Sequence, residues 1–232
     1  MKIQLLSLLA GARRAEGTVV IVDVLRAFTT AAVAFERGAA RIVMVAGVDD
    51  ARRLKRRGAG DLLMGEVEGR KPEGFDFGNS PHEMSRADVR GKTLIQSTRA
   101  GTTGIEAAVR AKRIYAASFA VAGTTARAIL RDKPAKVSIV AMGQDARERS
   151  DEDELCAMHL RNLLEGRKPD FAAVRRLALV CKTADKFRDP SRPWFHPKDL
   201  TLSLTLDLAD FAIRVRRKGG LLVAERCCSL SP

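Results

Sequence analysis

The sequence predicts an α/β protein whose mostly parallel sheet is covered by helices, and three observations carry that expectation. Short β-branched apolar runs recur without polar alternation, the mark of strands buried on both faces. Each run leads into a stretch whose apolar residues have helical spacing. Five or six such strand and helix units succeed one another along the 232 residues, which is the grammar of a parallel sheet. No internal repeat or low-complexity linker divides them, so residues 1–232 are expected to form one domain.

The first unit is the run 18–25, with a helix over 27–37 that Gly38 closes. A strand at 41–46 precedes a basic helix over 49–57, and 62–65 supplies a short further strand. The segment 67–85 breaks the rhythm: Gly69, Pro72, Gly74, Gly78 and Pro81 deny it regular structure, while Phe75 and Phe77 can anchor it. Long ordered loops of this kind are often functional. Strands at 93–96, 113–117 and 136–142 follow, with helices near 104–111, 121–130 and 151–164. Beyond Leu164 the prolines at 169, 190, 193 and 197 break the chain, and 221–224 is expected as a final strand. The start, residues 1–12, resembles a signal peptide superficially. Its apolar stretch is short and Arg13 and Arg14 follow it, so it is read as folded structure in a cytoplasmic protein.

With 46% apolar and 30% charged residues, the composition is that of a folded globular chain. The longest apolar runs fall far short of the roughly 20 residues of a membrane-spanning helix, so no membrane partner is expected. Lys and Arg number 41 against 28 Asp and Glu, a net charge of +13. That field attracts anions of any size, from nucleic acid to a small polyanion. The densest runs, 52–57 and 214–218, are spaced like solvated faces and contain no aromatic residue. They therefore lack the stacking platform of a single-strand binder, and nucleic acid is not the expected partner.

Cys156, Cys181, Cys227 and Cys228 include no C-x-x-C pair and are expected as reduced thiols. His82, His159 and His196 are too scattered for a zinc framework, so any metal here should have oxygen ligands.

In an open α/β sheet ligands bind beyond the carboxyl ends of strands, which selects the polar residues after each apolar run. Asp23 and Arg26 follow the first strand, and Glu66 follows 62–65. Ser97, Thr98, Arg99, Gly101, Thr102 and Thr103 follow 93–96, and Ser118 follows the next strand. Gln144 and Asp145 come after Met142, and Asp151, Glu152, Asp153 and Glu154 open the next helix. Hard oxygen donors suit Mg²⁺, which uses one or two carboxylates and keeps waters. A Gly-containing loop before a helix, as at 97–103, can aim N–H groups and hydroxyls at phosphate. The pattern points to metal-assisted chemistry on a phosphorylated or otherwise anionic small molecule.

Each candidate also has a plain structural explanation. Asp23 resists one most, because a carboxylate inside an apolar run must be desolvated unless partnered. Asp151 and Glu154 can simply complement a helix N-terminus. Ser97 and Thr98 can be an N-cap cluster, Arg26 and Arg99 surface ion pairs, and Asn79 and Ser80 the start of the turn at Pro81. His159 and Cys156 read as structural.

Four blocks in order resemble the 2-phosphosulfolactate phosphatase family, the Mg²⁺-dependent enzymes associated with coenzyme M biosynthesis. They are Val22-Asp23-Val24-Leu25-Arg26-Ala27; Gly65-Glu66 with Gly74-Phe75-Asp76-Phe77-Gly78-Asn79-Ser80-Pro81; Ser97-Thr98-Arg99-Ala100-Gly101-Thr102; and Glu152-Asp153 with Cys156-Ala157. The G-F-D-x-G-N-S-P block is long and specific, and together the blocks span about residues 18–160.

The resemblance implies a three-layer α/β/α fold with a mixed sheet, and removal of phosphate from 2-phosphosulfolactate to leave 3-sulfolactate. It makes Asp23, Arg26, Glu66 and Asp76 the catalytic candidates. Asn79, Ser80, Ser97, Thr98, Arg99, Gly101, Thr102 and Ser118 become substrate contacts, and Asp23, Glu152 and Asp153 ligands of Mg²⁺. A homodimer is also implied. Direct attack by water and a phosphorylated Asp23 both remain open, although the D-x-D signature is absent because Leu25 stands two residues after Asp23. The chain departs from the family where Ala100 replaces an Asn beside Arg99, where Ala120 follows Ser118, and at Met158.

Overall fold

The computed structural model describes residues 1–228, with Cys228 described by its backbone alone. The elements, in chain order, are β1 (Lys2–Ser7), α1 (Leu8–Arg14), β2 (Gly17–Val22), α2 (Ala27–Glu36), β3 (Arg41–Val45), α3 (Val48–Arg56), β4 (Leu62–Gly65), α4 (Pro81–Met84), β5 (Thr93–Ser97) and α5 (Gly101–Ala107). They continue with β6 (Ala111–Ala117), α6 (Ala122–Asp132), β7 (Lys136–Ala141), α7 (Asp151–Leu164), α8 (Phe171–Leu179), α9 (Lys182–Asp185), α10 (Pro197–Ser203), β8 (Phe211–Lys218) and β9 (Leu221–Cys228).

All the described strands join one nine-stranded sheet in the order β1-β7-β2-β6-β8-β9-β3-β5-β4. It is mixed. Two parallel sets, β1-β7-β2-β6 and β3-β5-β4, are joined by the antiparallel hairpin β8–β9. The hairpin strands pair along their full length, but β8 meets β6 only at Ile114–Ala116 and β9 meets β3 only at Ile42–Met44. Helices α6 and α7 pack on one face of the first set. Helix α5 packs on β2, β6 and β3, which lie on both sides of the hairpin. The sheet therefore curls instead of lying flat, and α2 sits inside the curl: every residue from Ala27 to Phe35 is buried. A helix covered all round must be apolar all round, and Ala27 to Phe35 are, apart from Thr29 and Thr30, whose hydroxyls bond the Val24 and Arg26 carbonyls.

Strand alternation divides the core. Ile42, Met44, Met64 and Leu94 face the main core, while Val43, Leu63 and Ile95 face the basic helix α3 and Phe75. Asp49 and Asp50 at the start of α3 and Arg53, Lys55 and Arg56 at its end complement the helix dipole.

The predicted strand and helix units are all present, and the fold is the expected three-layer α/β/α arrangement. The first twelve residues fold as β1 and most of α1. Two expectations are corrected. The run 214–218, read as a solvated face, belongs to β8 in the middle of the sheet, and β9 reaches Cys228 instead of stopping at Ala224. Only Arg216, Arg217 and Lys218 at the tip of β8 are exposed, which is what gave the run its charged look. The free thiols Cys156 and Cys181 are buried, and the Cys228 side chain lies outside the described residues. His159 is wedged between Phe119 and Phe171, as a structural residue. Among the described residues no helix is long and apolar enough to cross a membrane.

Candidate active site

The loops after β2, β4, β5 and β7 converge on one cavity of about 610 Å³, and residues between Thr183 and Phe195 complete its walls. Three carboxylates are buried at its base. Asp23, immediately after β2, accepts the Ala27 N–H at 3.0 Å. Burial pushes its pKa up to about 7 against the N–H bonds of Ala27 and Gly101, with Glu66 and Glu152 adding repulsion. Asp153, in the first turn of α7, ties two strand ends together: Oδ1 accepts the Val24 N–H and Oδ2 the Gly143 N–H, both at 2.8 Å. Its pKa rises well above the usual carboxylate range, through burial first and then through Asp23 and Glu152. Burial also raises Glu152, which accepts from the Cys181 thiol at 3.5 Å. Glu152 and burial together push that thiol up to about 11.

Cations surround this base. Arg99 pairs with Glu68 and Asp145, each at 3.4 Å, and Arg70 lies 3.8 Å over the Trp194 ring. Lys186 donates to Gln144 at 2.7 Å, and burial lowers its pKa against the pull of Glu152 and Asp145. Arg192 lines the same cavity. An acidic base under a basic mouth is suited to a cation below and a polyanion above it.

The other sequence candidates are distributed as follows. Arg26, which follows a cis Leu25–Arg26 peptide, lines the cavity but is no surface ion pair. Its guanidinium is buried against Asp199 at 2.8 Å and donates to the Trp194 and Gly69 carbonyls, over the Phe195 ring. Three of its five N–H groups are thus spent on protein and two are left for a ligand. Glu66 accepts the Gly69 and Arg99 N–H groups, and so holds the loops after β4 and β5 in register. Asn79 is buried, lines the cavity, and its Oδ1 has no partner.

Six candidates do not reach the cavity with their side chains. Asp76 accepts the Leu63 N–H and pairs with Lys55, both at 2.7 Å, outside the cavity. Ser80 caps α4 and donates to Asp199. Ser97 donates to the Ala46 carbonyl. Thr98 and Thr102 bond each other reciprocally, which makes the N-cap cluster at the start of α5. These hydroxyls are consumed locally, so the phosphate cradle anticipated at 97–103 offers the cavity only Arg99 and Ala100. Gly101 serves Asp23: a Cβ there would stand 2.9 Å from Asp23 Oδ2. Ser118, at the buried end of β6, does not line the cavity and its hydroxyl has no partner.

Sequence reasoning missed Arg70, Lys186, Arg192 and Asp199. All four lie outside strand ends, in the irregular loop or the proline-broken segment, where no period marks a side chain's direction. Asp151 and Glu154 play the helix-start role expected of them, and Glu154 accepts the Ser7 hydroxyl at 2.6 Å.

Among the described residues no three His, Cys, Asp or Glu side chains form a ready-made metal cage. The donor set nevertheless fits Mg²⁺, which needs only one or two carboxylates and completes its shell with water. Burial raises Asp23, Glu152 and Asp153 alike, Glu152 further repels Asp23 and Asp153, and Asp23 repels Asp153, a repulsion that a divalent cation relieves.

Comparison with known proteins agrees with this geometry. A family profile of 2-phosphosulpholactate phosphatase matches residues 6–192. A Bacillus subtilis (strain 168) protein named probable 2-phosphosulfolactate phosphatase is 33% identical over 211 residues, 89% of this chain and 90% of its own. Proteins of the same name from Caldicellulosiruptor saccharolyticus and Thermotoga petrophila are 37% and 43% identical. These matches cover 65% and 44% of this chain, and 64% and 44% of theirs. With the profile spanning every residue that lines the cavity except Trp194 and Phe195, this chain belongs to the 2-phosphosulfolactate phosphatase family of phosphoric monoester hydrolases.

Proposed function

We propose that the chain is a Mg²⁺-dependent phosphatase that hydrolyses the phosphate monoester of 2-phosphosulfolactate to 3-sulfolactate and phosphate. The observation that carries the reading is the single cavity in which buried Asp23, Glu152 and Asp153 lie beneath Arg70, Arg99, Lys186 and Arg192. A substrate with phosphate, carboxylate and sulfonate groups presents several negative charges to that mouth.

Asp23 and Glu152 would hold the metal. Asp153, with both oxygens accepting backbone N–H groups, orients the loops that carry them. Bound Mg²⁺ supplies charge neutralisation at the phosphoryl group. The chain's own contribution is positioning, which is most of what phosphoryl transfer requires. Arg99, Lys186 and Arg192 hold the anionic groups, and Arg26 adds a buried positive charge to the cavity wall. Asp23 receives N–H bonds from Ala27 and Gly101, an arrangement that favours attack by water over attack by its own carboxylate.

Phosphate release from 2-phosphosulfolactate, phospholactate, phosphoglycolate and phosphoglycerate, with Mg²⁺ and with EDTA, tests the reading. Preference for the sulfonate substrate in Mg²⁺ supports it, and absence of any turnover overturns it. Preference for another acid would favour the second reading, a phosphatase of the same family with a different small substrate. Ala100 beside an Arg99 already engaged by Glu68 and Asp145 is the feature that speaks for that alternative.

A further inference from the structure

Behind the wall made by Arg26, Gly69, Asn79 and Trp194 lies a second cavity of about 530 Å³, which shares that wall with the first. Its own lining includes Lys71, His82, Arg86 and His196, with the two imidazole rings stacked 4.3 Å apart. The acids nearby are already engaged. Glu83 accepts the Gly78 N–H, and Asp199 accepts from Arg26, Ser80 and the His82 N–H. Among the described residues the Lys71 and Arg86 side chains enter no ion pair. The shared wall also carries two buried polar atoms without partners, Asn79 Oδ1 and Trp194 Nε1. Trp194 Nε1 is a donor, the polarity an oxyanion needs, and a buried donor left unpaired is costly unless a ligand or water meets it.

We propose that this second cavity binds a small oxyanion of the phosphate class, held by Lys71 and Arg86 beside the stacked histidines and met at the wall by the Trp194 indole N–H. Such a site accepts inorganic phosphate without using any carboxylate of the larger cavity, so its occupancy does not depend on which phosphate ester the enzyme hydrolyses.

Calorimetric titration of the full chain with inorganic phosphate in EDTA tests it. EDTA removes any pull of a bound metal on the anion, and the K186A/R192A variant reports binding to the cations of the larger cavity. The expected result is one saturable site, weakened about tenfold or more in K71A/R86A and unchanged in K186A/R192A, with circular dichroism showing both variants folded. Absence of saturable binding by the wild-type chain overturns the proposal. So does loss of binding in K186A/R192A, which would put the anion in the larger cavity, and so does equal weakening in both variants, the mark of diffuse attraction.

Discussion

The Arg26 guanidinium and the Asp199 carboxylate meet at 2.8 Å with neither side chain exposed by more than 2%, although 173 residues separate them in the chain. Through this pair the loop after β2 is fastened to the segment that supplies Trp194, and Asp199 also holds the start of α4 through Ser80 and His82. Removing one partner of a buried pair strands the other charge. Asp199→Ala should therefore cost about 3–5 kcal/mol in urea unfolding. A double variant with Arg26→Met should recover part of that loss.

Asp23→Asn should lower kcat for phosphate release at least about 100-fold while the far-ultraviolet spectrum stays native. Retention of full Mg²⁺-dependent turnover would remove Asp23 from the site.

Stability without metal should fall as pH rises. Asp23 titrates near 7 in the folded chain against 3.8 for an ordinary aspartate, and Glu152 and Asp153 are shifted in the same direction. A carboxyl with a raised folded pKa favours the folded state when protonated, at low pH, and that advantage is lost as pH climbs through about 7. Thermal melts in EDTA at pH 5.5 and pH 8 should show the decline, and Asp23→Asn should flatten it.

Gly101→Ala places a methyl 2.9 Å from both Asp23 Oδ2 and the Ala27 Cβ, and 3.0 Å from the Phe28 ring. Overpacking of this kind costs about 1–3 kcal/mol. Here it should also depress kcat by displacing Asp23. A variant as active and as stable as wild type would show that the loop gives way freely.

Lys186→Ala and Arg192→Ala should raise KM by about tenfold each and leave kcat comparatively intact, because they bind charge that is present in substrate and transition state alike. The effect should shrink at high ionic strength, where exposed charges are screened.

Much of the architecture was legible in the sequence because buried strands announce themselves. The run 18–25 has no polar residue except Thr18 and Asp23, and the anomaly of Asp23 marked the base of the cavity directly. Glu152 and Asp153 were legible for a related reason, as part of the acidic first turn of a helix that follows a strand. The strand β8 was hidden because its arginines and lysine alternate poorly and its exposed tip dominates its composition. Ser80, Ser97, Thr98 and Thr102 turn their hydroxyls to local partners outside the larger cavity, which was not legible because a hydroxyl near a helix start looks the same in sequence whether it caps the helix or faces a cavity. Asp76 lies outside the cavity, which its block did not reveal, since the block is specific without showing which of its members reach it. Arg70, Lys186, Arg192 and Asp199 could not be read at all, since their positions depend on how irregular segments pack across more than a hundred residues of chain.

The position of the β8–β9 hairpin bears on how the protein is made. Residues 211–228 occupy the middle of the sheet, between β6 and β3, yet they are the last described strands to leave the ribosome. Until they emerge, the nascent chain holds two half-sheets with unpaired inner edges, and α2 has no closed shell around it. Open strand edges invite pairing with other chains, and long-range closure is slow. Chains stalled before residue 211 are therefore expected to aggregate more readily than chains that extend past the hairpin joining the two strand sets.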